Sequence, residues 1–224
     1  MLVLSKHRTR EVYNHIFTKL QEYFQNKNLF FQPKTILCDF EQALLNSLNN
    51  CFQNTRIQGC YFHFCQSIYR KIQSLGLSSA YMKNENFRIF LRFVMALAFL
   101  PNNEVKESYL VLEKYFLKMD PALDKFFEYF QRNWIKNTQL WNVHGETLRT
   151  NNDIEGWHFS ISRNLGKKPD IYKFISFLQD EELMSRHLIS MANSGRKIKN
   201  ANKKYDRIGK KNNRTNRSSS IEAD

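Results

Sequence analysis

Apolar residues recur every fourth position from Val12 through Ile16 and Leu20 to Phe24, a spacing that predicts a helix over about residues 10–24 with one stripe to bury. The short apolar run Met1, Leu2, Val3, Leu4 ahead of it reads as the end of a strand, and the polar residues 5–9 as the turn between them. Residues 26–33, ending on Pro33, break the helix. Residues 34–38 are β-prone and run into Asp39, after which Leu44, Leu45 and Leu48 mark the inward face of a second helix. Residues 56–62 read as another strand. A helix from about His63 to Leu75 follows, burying Phe64, Ile68 and Ile72 and stopping near Gly76.

From residue 78 to 143 the pattern is helical throughout and heavy in Phe, Tyr and Trp, with predicted helices over 81–100, 104–116, 123–130 and 134–141 and breaks at Pro101 and Pro121. Asn151 or Asn152 caps the next helix, whose Asn151, Glu155, His158 and Ser162 fall on one polar face. Asp170 caps a last helix with Ile171, Phe174, Ile175 and Leu178 as its apolar face, and order is expected to end near Gly195. The pattern divides the chain into an α/β part over 1–77, a helical insertion over 78–147, a pair of helices over 148–194 and a tail over 195–224. By content the fold is predominantly helical.

Composition agrees with a folded protein, at 42% hydrophobic and 14% aromatic residues in 224. The longest apolar run, Phe93 to Leu100, is eight residues, far short of a membrane span of roughly 20. Four cysteines without a signal peptide fit a reducing compartment. The formal net charge of +13 points to a polyanionic partner, and much of it is terminal. Residues 196–224 hold ten Lys or Arg, among them Arg196, Lys197, Lys199, Lys203, Lys204, Lys210 and Lys211, against Asp206, Glu222 and Asp224. Such a tail is expected to be disordered, and either to bind nucleic acid without sequence preference or to serve as a nuclear targeting signal.

Two acids stand out. Asp39 follows a strand, where side chains of an open α/β sheet project into a ligand crevice, although it also suits the cap of the next helix. Glu155 lies far along the chain, on the polar helix face. Carboxylates gathered from distant elements hold paired magnesium or manganese ions roughly 3.5–4 Å apart for phosphodiester chemistry. A second cluster, Cys60, His63 and Cys65, has the spacing of half a zinc site and equally of a buried cysteine beside a core histidine. There is no glycine-rich phosphate loop, no Gly-x-Ser-x-Gly elbow and no His-Glu-x-x-His helix, so nucleotide hydrolysis, serine hydrolysis and zincin chemistry lack a basis.

Taken in order, Cys38-Asp39-Phe40-Glu41-Gln42-Ala43, Gly59-Cys60-Tyr61-Phe62-His63-Phe64-Cys65-Gln66-Ser67 with Arg70-Lys71, Leu97-Ala98-Phe99-Leu100-Pro101, Trp141-Asn142 and the run from Arg149 to His158 resemble the transposase domain of Mutator-like elements (MULEs). The resemblance spans about residues 1–182. It implies a ribonuclease-H-like α/β fold with an all-helical insertion before the last catalytic helix, and cut-and-paste DNA transposition in the nucleus through a metal-dependent Asp-Asp-Glu triad. By position Asp39 matches the second acid and Glu155 the third, with magnesium or manganese as the implied metal and Asn151 and His158 as supporting neighbours. Cys60 and His63 match the family's Cys-x-x-His.

The first acid of the triad has no match, because the sequence starts at about the third strand of that fold. The resemblance therefore implies a fragment of a transposase, inactive alone, with DNA and a second copy of the chain as candidate partners. The alternative is a non-catalytic module that binds DNA or protein. A zinc-stabilised interaction domain built on Cys60, His63 and Cys65 is a third reading.

Overall fold

The computed structural model describes residues 5–166 and 168–196, apart from the side chains of Met119 and Pro121. Met1 to Leu4 and the tail lysines from Lys197 to Lys211 lie outside the described residues. The chain divides into two compact units, Met1–Asn151 and Asn152–Asp224, and each is described by itself.

The first unit opens with α1 (Arg10–Gln25), capped by Thr9, whose hydroxyl accepts from the Val12 amide. Its stripe is half-buried rather than fully buried, and α1 is held to its neighbour by polar contacts as well. β1 (Thr35–Cys38), α2 (Gln42–Cys51) and β2 (Arg56–Gly59) form a strand, helix, strand unit in which the strands pair in parallel, Thr35 opposite Arg56 and Cys38 opposite Gly59. Ser47 donates to the Asn14 side chain at 2.6 Å, and Gln21 to the Cys51 carbonyl at 3.0 Å, fixing α1 on α2. Cys38, Leu45, Leu48 and Phe52 make the small core beneath them, with Phe17, Phe31 and Ile57 packed around it.

A larger core belongs to the helices that follow: α3 (Tyr61–Ser74), α4 (Ser78–Lys83), α5 (Glu85–Ala96), α6 (Val105–Met119), α7 (Asp124–Asn133) and α8 (Thr138–Trp141). Phe64, Ile68 and Ile72 of α3 are fully buried in this core, so the helical block and α3 share one interior. Phe64 stacks on Trp141 at 4.6 Å, and the Trp141 indole donates to the Trp134 carbonyl at 2.8 Å. Phe90 meets Phe116, Phe126 and Phe127 at 5.0–5.5 Å, so aromatic residues supply much of the core volume.

Three boundaries differ from the sequence pattern, each for a local reason. The strand expected over 56–62 ends at Gly59, and α3 begins at Tyr61 because the Tyr61 amide finds the Arg149 carbonyl at 2.8 Å. The helix expected over 81–100 is interrupted at Asn84, whose side chain accepts from the amides of Asn86 and Phe87 and starts α5 afresh. The helix expected over 134–141 is a single 3-10 turn, Ile135–Asn137, followed by α8.

The second unit contains α9 (Asn152–Leu165) and α10 (Ile171–Asn193). Asp170 caps α10 by accepting from the Tyr172 and Lys173 amides, and the Trp157 indole on α9 donates to Glu181 on α10 at 2.7 Å. The apolar face expected on α10 is only partly covered. Leu178 is buried and Phe174 half-buried, whereas Ile171 and Ile175 are 49% and 43% exposed. Among the described residues no helix is long and apolar enough to cross a membrane.

Candidate functional site

Asp39 stands at the carboxyl end of β1, half-exposed, and one of its carboxylate oxygens accepts from the Glu41 amide at 3.2 Å. Glu41, not Asp39, occupies the cap position of α2, and no side-chain cap bond is made there. The helix-cap role open to Asp39 in the sequence is therefore not the one it fills. Tyr13 of α1 reaches the same corner and donates to the Glu41 carboxylate at 3.1 Å. Burial raises the Tyr13 phenol above its ordinary value, the bond to Glu41 adds to that, and the Asp39 charge acts in the same direction. Glu41 and Tyr13 were not legible as neighbours of Asp39, although Glu41 is only two residues away; the contact with Tyr13 depends on how α1 crosses α2.

Behind Asp39, the buried Cys38 thiol is pushed up to about 12 by desolvation first, then by the Asp39 carboxylate and by Cys60. Cys60 is fully buried at the end of β2. Its amide continues the ladder to the Cys38 carbonyl at 2.8 Å, and its thiol donates to the Asn151 side-chain oxygen at 3.0 Å. Cys65, one turn further along α3, is half-buried and raised by that burial, with the Tyr61 hydroxyl bond opposing the rise. Burial also raises Tyr61, reinforced by its bond to Cys65. His63 is half-buried with its ring 5.5 Å from that of Phe62.

The other segments singled out in the sequence meet here too. Asn142 donates to the Leu100 carbonyl at 2.8 Å and accepts from the His144 amide at 2.9 Å, and its own carbonyl accepts from the buried Gln58 side chain at 3.0 Å. Val143 bonds back to the Ala98 carbonyl at 2.7 Å. The Arg149 guanidinium lies over the Phe99 ring at 5.2 Å, while its carbonyl holds the start of α3. Leu97 to Pro101, Trp141-Asn142 and Arg149 to Asn151 are thus clamped against β2 and the first turn of α3.

Gly59 sits at the tightest point of this arrangement. A Cβ there would come within 2.4 Å of the Phe40 ring and 3.0 Å of the Leu140 carbonyl, so only glycine lets the strand pass. That leaves the segment from Cys38 to Phe40 and the segment from Gly59 to Tyr61 side by side, with Asp39 at the sheet edge. Residues 1–67 match the family model of the MULE transposase domain. The matched stretch takes in α1, both strands, α2 and the first half of α3, and with them Asp39, Cys60, His63 and Cys65. Comparison with curated proteins and with solved structures finds no match. The match makes that first stretch of the chain similar to a transposase domain.

Of the remaining residues singled out in the sequence, Asn151 is half-buried and holds the Cys60 thiol, Glu155 lies in the first turn of α9, and His158 is exposed with its ring 5.6 Å from Trp157. A carboxylate in a first helical turn is favoured by the amide dipoles there. Arg196 is exposed. Asp39 and the cysteines belong to the first unit, Glu155 and His158 to the second. The carboxylates are the right kind of donor for magnesium or manganese. Among the described residues, however, no group of three or more His, Cys, Asp or Glu side chains is placed to hold a metal ion. The Cys60 thiol bonds to Asn151 and the Cys65 thiol to Tyr61.

Proposed function

We propose that this chain is a MULE-type transposase unit with a ribonuclease-H-like architecture that binds DNA in the nucleus and does not cleave it alone. Asp39 and Glu155 are its two triad-type acids. The observation that carries the reading is the family match over 1–67 together with the position of Asp39 at the carboxyl end of a parallel strand. Inactivity is supported by the donor set. Asp39 and Glu155 are one carboxylate short of a three-acid metal centre, and the roles proposed for the chain are binding and positioning. Asn151 and Tyr61 hold the ends of the segments that carry Cys60 and Arg149, and Glu41 orients Asp39 through its backbone amide.

The test is strand nicking. Supercoiled plasmid incubated with purified chain and magnesium or manganese is expected to stay intact, with wild type, Asp39→Asn and Glu155→Ala alike. Metal-dependent nicking by wild type that Glu155→Ala abolishes would overturn the reading. The net charge of +13 favours a second reading, a DNA-binding module with no surviving metal site. The two separate on magnesium binding: loss of bound ion in Asp39→Asn supports the first, and binding of DNA with no metal effect in either protein supports the second.

A further inference from the structure

The first unit carries a cleft that neither Asp39 nor Glu155 lines. It has a volume of about 710 Å³ and opens between α2, β2, the end of α7 and the residues around α8. Leu45, Ile57 and Leu140 form an apolar floor. The walls are carboxamides: Asn49, Asn102, Asn133, Asn137 and Gln139 all line it, with Arg56 as the cation. A second hollow of about 420 Å³ shares Asn102, Asn137 and Gln139 with the first and ends at Lys106 and Lys136. Those two lysines lead into a third, about 540 Å³, where Arg132 joins them. No Asp or Glu lines the first two hollows.

We propose that this cleft binds an unpaired nucleic-acid strand, taking base edges on its amides and phosphates on Lys106 and Lys136. A carboxamide presents a donor and an acceptor at a fixed separation, which matches the paired edge groups of a nucleobase. Among the described residues the side chains of Asn49, Asn102, Asn137 and Gln139 enter no hydrogen bond, so their donors and acceptors are available to a ligand. The concave shape decides against a duplex. Base edges in a duplex are read by a convex element that enters the groove, whereas an amide-lined hollow admits a base only when it is unstacked. The apolar floor takes the face of the ring and the lysines neutralise the backbone on either side. Recognition by edges rather than by aromatic stacking gives the site dependence on the bases themselves. The proposal does not rest on the catalytic reading, because neither Asp39 nor Glu155 lines the cleft.

The test uses the full chain and fluorescence anisotropy with three probes of about ten nucleotides: a mixed-sequence single strand, an abasic strand of equal phosphate count, and the duplex. Wild type is expected to bind the base-bearing strand about tenfold more tightly than the abasic one. Asn137→Ala with Gln139→Ala removes that preference while leaving abasic binding and the thermal midpoint unchanged. Lys106→Glu with Lys136→Glu weakens both single strands. Replacing Lys203, Lys204, Lys210 and Lys211 by alanine lowers affinity for all three probes and keeps the base preference. Equal affinity for abasic and base-bearing strands in wild type, or a duplex bound as well as the base-bearing strand, overturns the proposal. So does an equal loss on both strands in the amide variant. Plasmid nicking is indifferent to these substitutions, so failure here and failure of the catalytic reading are separately visible.

Discussion

At position 59 a methyl group has nowhere to go. The Phe40 ring that would meet it packs edge-on against Trp134 at 4.9 Å, and the Leu140 carbonyl lies 3.0 Å from the added carbon. Gly59→Ala should therefore destabilise the first unit by about 1–3 kcal/mol, read as a lower urea midpoint with unchanged slope. Cys38 makes a second test at this scale. Its thiol ordinarily titrates at 9.0 and in the folded chain at about 12, so the unfolded state loses its proton first. The contribution of Cys38 is fully present below about pH 9 and is lost as pH rises toward 12. Stability should fall over that window, and the alkaline limb of a pH–stability curve should be shallower in Cys38→Ala. An equally steep limb in the variant would show that Cys38 is not the group responsible.

Between elements, the determining contacts join segments remote in sequence. Asn142 ties the turn at Leu100, the start of the loop at His144 and β2 through Gln58, and it is itself buried. Asn142→Ala leaves the Leu100 carbonyl and the His144 amide without those partners, at a cost of about 1–3 kcal/mol for each group that stays buried. The expected sign is faster amide hydrogen exchange in β2 and at Val143, with the exchange of α10 unchanged. Legibility followed the same division. The stripes Phe64, Ile68 and Ile72 on α3 and Leu45 and Leu48 on α2 were readable because a core face repeats with the helical period. The start of α3 was not, because its first amide is satisfied by Arg149, 88 positions further along the chain. The interruption at Asn84 was written in a residue type known to cap helices, but the apolar period runs through it and conceals the stop.

For the whole molecule, the proposed function makes charge the governing term in the encounter with DNA. Residues 197–224 hold nine Lys or Arg against Asp206, Glu222 and Asp224, a net +6 of the +13. Removing them should weaken duplex binding and flatten the dependence of log affinity on log salt, because fewer counterions are released. An unchanged slope would move the duplex-binding charge to residues 1–196. The MULE match covers 1–67, whereas the resemblance in sequence motifs spans about residues 1–182 and includes Asn142, Arg149 and Asn151. Within the first unit those later segments close on the Cys60 end of the sheet.

What the sequence determined by itself was local and additive: the helical stripes, the β-prone runs at 34–38 and from residue 56, the Asp170 cap, the basic end and the likeness to a transposase family. Each depends on neighbours within a few positions or on a sum over the chain. The tertiary structure alone decided which polar groups are spent and which are available. It gave the Cys60 thiol to Asn151 and the Tyr13 hydroxyl to Glu41, and gathered amides from α2, α7 and the residues around α8 into one cleft. Hydrogen-bond partners separated by tens of residues are chosen by packing, and packing carries no period in the sequence.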